Sequence, residues 1–379
     1  MTPYLLVAAI AAAAAFACTP VVRTLGARII GYDVPIEGKV HEVPTPTYGG
    51  IAIYIGFAVA IGLSAMFDSL RNVFEFSEVL GLLVGGFIVL VIGIADDHRD
   101  LSRLARLAGQ VFAAGILYFS GIALSFFWLP GIGVMSLSPD LSAIMTIVWI
   151  VLLMNAVNYI DGLDGLAAGL TAISAGGLFL YSTRLPEEFL GPDPLTPLVA
   201  AALVGACVGF LPFNFYPARI FMGDTGAYPL GFFLAGATIS MIGRFTGPGS
   251  AGGRLALPLI FTPVVFAALP VGNFIFVTLR RLRNRQPIMI GERDEHIHYR
   301  LLRLGHSHRR AVLVMYGWAS ILAIGLVLAG TISWGRFVLA FVAAGGTVLL
   351  LTLAPSLRRA FGGDEQEPVA PSDRSRYTL

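Results

Sequence analysis

At 379 residues, 56% apolar and 13% charged, with mean hydropathy +0.79, the chain falls far from soluble globular proteins, in which about 25% of residues are charged. The net charge of +2 sums a basic set of loops with a sparse one; the arginines follow the ends of apolar stretches and no recognition fold is visible, so no nucleic-acid partner is expected. Cys18 and Cys207 both lie inside apolar stretches, where they act as small apolar residues, and neither a disulfide framework nor a zinc site is indicated.

A bilayer core takes about 20 mostly apolar residues per helix. Eleven stretches meet or approach that length: 3–22, 48–67, 79–95, 107–124, 140–158, 166–183, 197–214, 227–242, 255–279, 311–330 and 336–354. The first, with its alanine run, could pass for a signal peptide, but it lacks a basic n-region and reads as a retained helix. The expected fold is an all-α polytopic membrane protein of about eleven transmembrane helices. Residues 1–357 form a single catalytic domain, and the Gly-, Pro- and acid-rich residues 358–379 a disordered cytoplasmic tail. Lys and Arg are retained on the cytoplasmic side, and alternate segments carry 20 of them against 5 in the others. That asymmetry puts the N-terminus outside and the C-terminus inside.

Residues able to do chemistry gather in the basic loops. The third stretch ends in Gly93-Ile-Ala-Asp96-Asp97-His98-Arg99-Asp100, two adjacent carboxylates where the chain leaves the bilayer. Ionisable groups there need water, a partner or a metal, and a solvated helix end would explain a lone pair. The next basic segment reads Asn155-Ala-Val-Asn158-Tyr-Ile-Asp161-Gly-Leu-Asp164-Gly, with polar residues at steps of three that share one face of a helix or tight turn. A polar contact between helices is the plainer alternative. After the seventh stretch comes Asn214-Phe-Tyr-Pro-Ala-Arg-Ile-Phe221-Met-Gly-Asp224-Thr-Gly. A lone Gly-Asp-Thr-Gly is often a plain turn; with the two earlier clusters it suggests a hard-cation site, since Mg²⁺ takes oxygen ligands from one or two carboxylates plus substrate phosphates. The last basic loop carries Arg293, His296, His298 and Arg300. Soft ligands are missing nearby, so phosphate contact fits these residues better than a transition metal.

These four blocks, together with Asp33 to Lys39 and Thr45-Pro-Thr-Tyr-Gly49-Gly50 of the first loop, resemble the polyprenyl-phosphate N-acetylhexosamine-1-phosphate transferase superfamily from about Asp33 to Leu302. The superfamily includes initiators of teichoic acid and O-antigen synthesis and the lipid I synthase. Four positions depart from its pattern: Gly38 in place of Arg, Arg106 in place of Lys, Tyr299 in place of a third His, and Asn273 in place of Asp. The resemblance implies attack of undecaprenyl phosphate on the β-phosphorus of a UDP-sugar, releasing UMP, as the first membrane step of a cell-envelope glycan pathway. It implies Mg²⁺, with Mn²⁺ as an alternative, held by Asp224 and Asp161. Asp96, Asp97, Asp161, Lys39, His296 and His298 are the expected catalytic groups; Lys39 is the one lysine beside 24 arginines. Asn155, Asn158, Asp164, Asn214, Phe221, Thr45, Arg293 and Arg300 are expected to bind substrate. The expected partners are a UDP-N-acetylhexosamine, the polyprenyl phosphate and the bilayer, with a homodimer as an option, and the expected location is the bacterial cytoplasmic membrane with the site facing the cytoplasm. The His296 loop resembles the UDP-GlcNAc branch, while Thr45-Pro-Thr-Tyr leans towards UDP-MurNAc-pentapeptide. A transporter or flippase of lipid-linked sugars is the alternative of a different class, against which stands the gathering of charge in loops rather than at the midplane of broken helices.

Overall fold

The computed structural model describes residues 1–29, 32–33, 44–75, 77–129, 133–184, 195–243, 268–283, 296–329 and 333–361. Lys39, Arg293 and the residues after 361 lie outside them, as does the greater part of the ninth apolar stretch. Among the described residues the chain is helical almost throughout. The helices are α1 (Thr2–Ile29), α2 (Gly50–Ser64), α3 (Ser77–Arg99), α4 (Arg103–Phe119), α5 (Pro139–Ile160), α6 (Leu166–Ser182), α7 (Leu195–Asn214), α8 (Asp224–Gly243), α9 (Ala268–Arg283), α10 (Ile297–Arg303), α11 (His308–Ala329) and α12 (Trp334–Phe361). Each of the eleven apolar stretches overlaps one of them, and α10 is additional. Six helices, α1, α3, α5, α7, α11 and α12, are long and apolar enough to cross a membrane, with α2 and α6 shorter apolar helices. The chain is thus an all-α, multi-pass membrane protein. Two short antiparallel pairs were not foreseen: Tyr32–Asp33 with Thr45–Pro46, and Phe126–Leu129 with Gly133–Ser136.

Local chemistry sets the helix ends near the site. α3 stops where Asp100 takes a φ of +46°, which Asp tolerates better than most residues. Ser102 then caps α4 by accepting from the Ala105 N–H at 3.3 Å, and α5 opens with Ser138 as cap, Pro139 at its first turn and Asp140 beside the positive end of the helix dipole. The interior helices α2, α6, α7 and α8 are mostly apolar on every side, so their neighbours are set largely by shape. α8 lies at the centre, packed on α3 and α5 and touching α2, α6 and α7, while α1 and α6 flank α7. Gly93 shows how close the helices come: a Cβ there would stand 2.6 Å from the Asp224 carbonyl oxygen and the Thr225 Cα. This approach of α3 to the first turn of α8 brings the carboxylate clusters together.

Candidate active site

The site forms where α3 ends, α5 ends and α8 begins. Asp97, in the last turn of α3, accepts from the Asp224 N–H at 2.9 Å, the Thr225 N–H at 3.0 Å and the Thr225 hydroxyl at 2.6 Å. It therefore caps α8 from another helix, a negative charge on two otherwise unsatisfied donors at the positive end of the dipole. Gly223, at φ +68°, turns the chain into this cap; a Cβ on it would stand 2.5 Å from an Asp97 carboxylate oxygen. The Gly-Asp-Thr-Gly sequence is thus a helix start held by a distant carboxylate.

Asp96 is 3% exposed and fully engaged. It accepts from the Leu101 N–H at 3.0 Å, from the Tyr228 hydroxyl at 3.1 Å and from the Arg106 guanidinium at 3.0 Å. The same Arg106 nitrogen stands 4.0 Å from Asp224. Asp224 in turn accepts a short hydrogen bond from the Asn158 amide and one from Tyr228 at 3.3 Å. The adjacent Asp96 and Asp97 share one cluster with Asp224, 127 residues further along the chain than Asp97, with Arg106 beside it.

The polar stripe foreseen from Asn155 to Asp164 divides. Asn155 and Asn158 lie one turn apart on α5, but the helix ends at Ile160 and Asp161 is its C-cap. Asp161 keeps some surface, yet burial of its carboxyl, with Asp97 and Asp164 nearby, pushes its pKa up to about 7. Asp164 turns away towards the loop after α7: its carboxylate accepts from the Ala218 N–H at 2.9 Å and its own N–H donates to His308 Nε2 at 2.9 Å. Asn214 is engaged on both sides, accepting from the Gly165 N–H at 3.1 Å and donating to the Ile220 carbonyl at 3.0 Å. Phe221 meets the segment that follows Thr45 through backbone, its N–H donating at 2.8 Å to the Pro46 carbonyl and its carbonyl accepting from the Gly49 N–H at 2.9 Å.

His296 and His298 stack at 5.4 Å with an interplanar angle of 6°. His298 is wholly buried, its Nε2 lying 2.2 Å from where a Cβ on Gly162 would be, and neither ring nitrogen has a hydrogen-bond partner among the described residues. Burial, followed by His296 and His308, pulls its pKa down to about 3, so it is neutral at working pH. The Arg300 guanidinium lies 4.5 Å over the Phe276 ring.

Four participants are absent from the sequence-based set. Arg106 neutralises Asp96, Tyr228 bridges Asp96 and Asp224, and Thr225 helps hold Asp97. Asn273 accepts from the Ile297 N–H at 3.0 Å and pairs with His296 Nδ1 at 3.0 Å, so it caps α10 and orients the histidine. Arg106 was legible as one of the basic residues that set the orientation and as a departure from a family Lys. Tyr228 stands four residues after Asp224, a spacing that puts both on one helix face.

Mg²⁺ prefers hard oxygen donors and needs only one or two from protein. No group of three His, Cys, Asp or Glu side chains among the described residues is arranged to hold a metal. The donor set fits a site completed by substrate phosphates: Asp224, whose side chain is partly exposed, and Asp161 belong to a cluster whose negative charge exceeds what Arg106 offsets.

Comparison with known proteins agrees with this geometry. Residues 79–242 match the model of glycosyl transferase family 4. The chain is 36% identical over 373 residues to the decaprenyl-phosphate N-acetylglucosaminephosphotransferase of Mycobacterium tuberculosis, covering 96% of this chain and 91% of that one. It is 33% identical to a probable undecaprenyl-phosphate N-acetylglucosaminyl 1-phosphate transferase of Bacillus subtilis, over 86% and 84%. A phospho-N-acetylmuramoyl-pentapeptide-transferase of Desulforudis audaxviator is 31% identical, over 87% and 97%.

Proposed function

The chain belongs to glycosyl transferase family 4, within the polyprenyl-phosphate N-acetylhexosamine-1-phosphate transferases, and from that membership we propose that it transfers GlcNAc-1-phosphate from UDP-GlcNAc to a polyprenyl phosphate, releasing UMP. The observation that carries this is the meeting of Asp96, Asp97 and Asp224 with Arg106 and Asn158 at the helix ends. Phosphoryl transfer relies on positioning and on offsetting charge, and this cluster supplies rigid placement with a guanidinium beside it. We assign the site to the cytoplasmic side, where nucleotide sugars are made, on the 20 to 5 distribution of basic residues.

Asp224 and Asp161 would hold Mg²⁺, which when bound supplies charge neutralisation at the pyrophosphate oxygens. Asp97 fixes the backbone that carries Asp224, and Asn158 and Tyr228 fix its carboxylate. Asp96 anchors Arg106, whose guanidinium also faces Asp224 and is placed to meet phosphate oxygens. A phosphate monoester has a second pKa of about 6, so the lipid acceptor is ionised near neutrality. Asp96, with its Leu101, Arg106 and Tyr228 partners, is then a positioning residue rather than a base. Asp164 and Asn214, which hold the turn against the loop after α7, would shape the nucleotide end.

The UDP-GlcNAc donor is favoured by the 36% identity over 96% of this chain to the Mycobacterium tuberculosis relative, against 31% over 87% to the pentapeptide-transferase. Purified protein given polyprenyl phosphate, Mg²⁺ and either UDP-GlcNAc or UDP-MurNAc-pentapeptide should release UMP from the first. Preferential turnover of the second would reassign the donor and leave the chemistry standing.

A further inference from the structure

Arg106 is not the only polar residue that α4 turns towards α5. Gln110, four residues further along and so on the same face about 6 Å deeper, is 1% exposed. Its Oε1 accepts from Asn155 Nδ2 at 2.8 Å. The orientation of both amides follows from one neighbour. The Asn155 Nδ2 also lies 2.8 Å from the Val151 carbonyl, which can only accept. That atom must therefore be the nitrogen, and the Gln110 atom facing it must be the oxygen. Gln110 Nε2, with two N–H donors, is then left buried with no hydrogen-bond partner among the described residues.

A buried unpaired amide donor is costly, so native proteins seldom keep one without an acceptor. Its position indicates which acceptor. The Gln110–Asn155 link bridges α4 and α5 one turn beyond the Arg106, Asp224 and Asn158 bridge. The outer face of α4 on this stretch is exposed and apolar, with Leu104, Leu107 and Phe112, as a surface in contact with acyl or prenyl chains would be. A phosphate carried on a prenyl chain approaches the cluster from that deeper, apolar side, whereas a nucleotide approaches from water.

We propose that Gln110 is a positioning residue for the lipid acceptor: its Nε2 donates to a phosphate oxygen of the bound polyprenyl phosphate on the bilayer side of Arg106, with Asn155 fixing the amide. This rests on the transferase function proposed above. A Gln110 donor aimed at the lipid phosphate acts on one substrate only.

The test uses full-length protein in nanodiscs, binding undecaprenyl phosphate in the absence of nucleotide sugar, with undecaprenol as the control lacking phosphate. Gln110→Met keeps volume and removes the donor; Gln110→Glu keeps an acceptor for Asn155 and replaces the donor by oxygen. Both should bind undecaprenyl phosphate about tenfold or more weakly than wild type, as loss of one hydrogen bond to a charged group predicts, with undecaprenol binding unchanged. In turnover, the KM for the lipid should rise while the KM for UDP-GlcNAc stays within twofold. Unchanged phosphate-dependent binding in variants of normal thermal stability would overturn the proposal and assign the donor to a buried water. An equal rise in both KM values would overturn it in favour of a purely structural role. If wild type binds undecaprenyl phosphate but turns over neither donor, the function is wrong and the binding comparison still decides the role of Gln110. If wild type does not prefer the phosphate over undecaprenol, both fall.

Discussion

The junction of α3, α5 and α8 and the outer helix α12 are made of equally apolar sequence, and they behave in opposite ways. α3 and α12 are similarly apolar, yet much of α3 is buried while no described residue of α12 is. In lipid, apolarity puts a helix in the bilayer and says nothing about which neighbours it takes. What distinguishes the junction is small residues that let backbones touch and single polar groups that find partners. Gly93 and Gly50 leave no room for a Cβ, whereas one added at Gly345 or Gly346 of α12 meets nothing within 4 Å. α12 is held to the rest by α11 and by a few polar bonds, such as His306 to the Thr352 carbonyl at 2.9 Å.

Substitutions should follow that contrast. The largest effect is expected at Asp224. Asp224→Asn should lower kcat by about a thousandfold or more, as removal of a charge at a phosphoryl-transfer centre does, while Asp100→Asn, at the exposed residue that follows α3, should stay within about threefold. Equal losses would dissolve the distinction between the cluster and its rim. Arg106→Gln should cost about a hundredfold in kcat/KM and roughly 2 kcal/mol of stability, less than a fully buried pair would lose because the Arg106 side chain is one-third exposed; Arg106→Lys should recover much of both. Unfolding in detergent should show Gly93→Val destabilised by about 1–3 kcal/mol from overpacking, and Gly345→Val in α12 unchanged within about 0.5 kcal/mol. A strong effect at Gly345 would mean that α12 has a second packing partner besides α11.

A pH dependence is also expected, at a residue outside the carboxylate cluster. The folded pKa of His298 is depressed to about 3 from an unfolded 6.5, so its contribution is present above pH 6.5 and is lost as pH falls towards 3. Between pH 7 and pH 5 wild type should lose on the order of 2 kcal/mol from this group, a loss that His298→Gln avoids. Parallel stability curves for the two proteins would contradict the neutral, buried histidine.

How much of this was readable beforehand follows from the same physics. Asp96, Asp97, Asn158, Asp161 and Asp224 stood out because an ionisable or amide group is rare in such a chain, and clustering in adjacent loops made them a site. The helices were readable because apolar runs of this length have few other uses. Arg106 was read as a topology charge, and Gln110 and Tyr228 disappeared into apolar runs, where one polar side chain barely moves the hydropathy. Their four-residue spacing from Arg106 and from Asp224 was the available signal. That Asp97 would cap α8, and that Asp164 would turn away from Asn158, depends on backbone contacts between distant segments, which no local pattern encodes.

The central claim is a transfer between two substrates, and the most direct measurement follows both products at once. Purified protein with UDP-GlcNAc labelled in the sugar, undecaprenyl phosphate and Mg²⁺ should yield UMP and a labelled lipid diphosphate in equal amounts, with both lost when the lipid phosphate is omitted or Asp224→Asn is used. Release of UMP without labelled lipid, or undiminished lipid labelling by Asp224→Asn, would contradict the account.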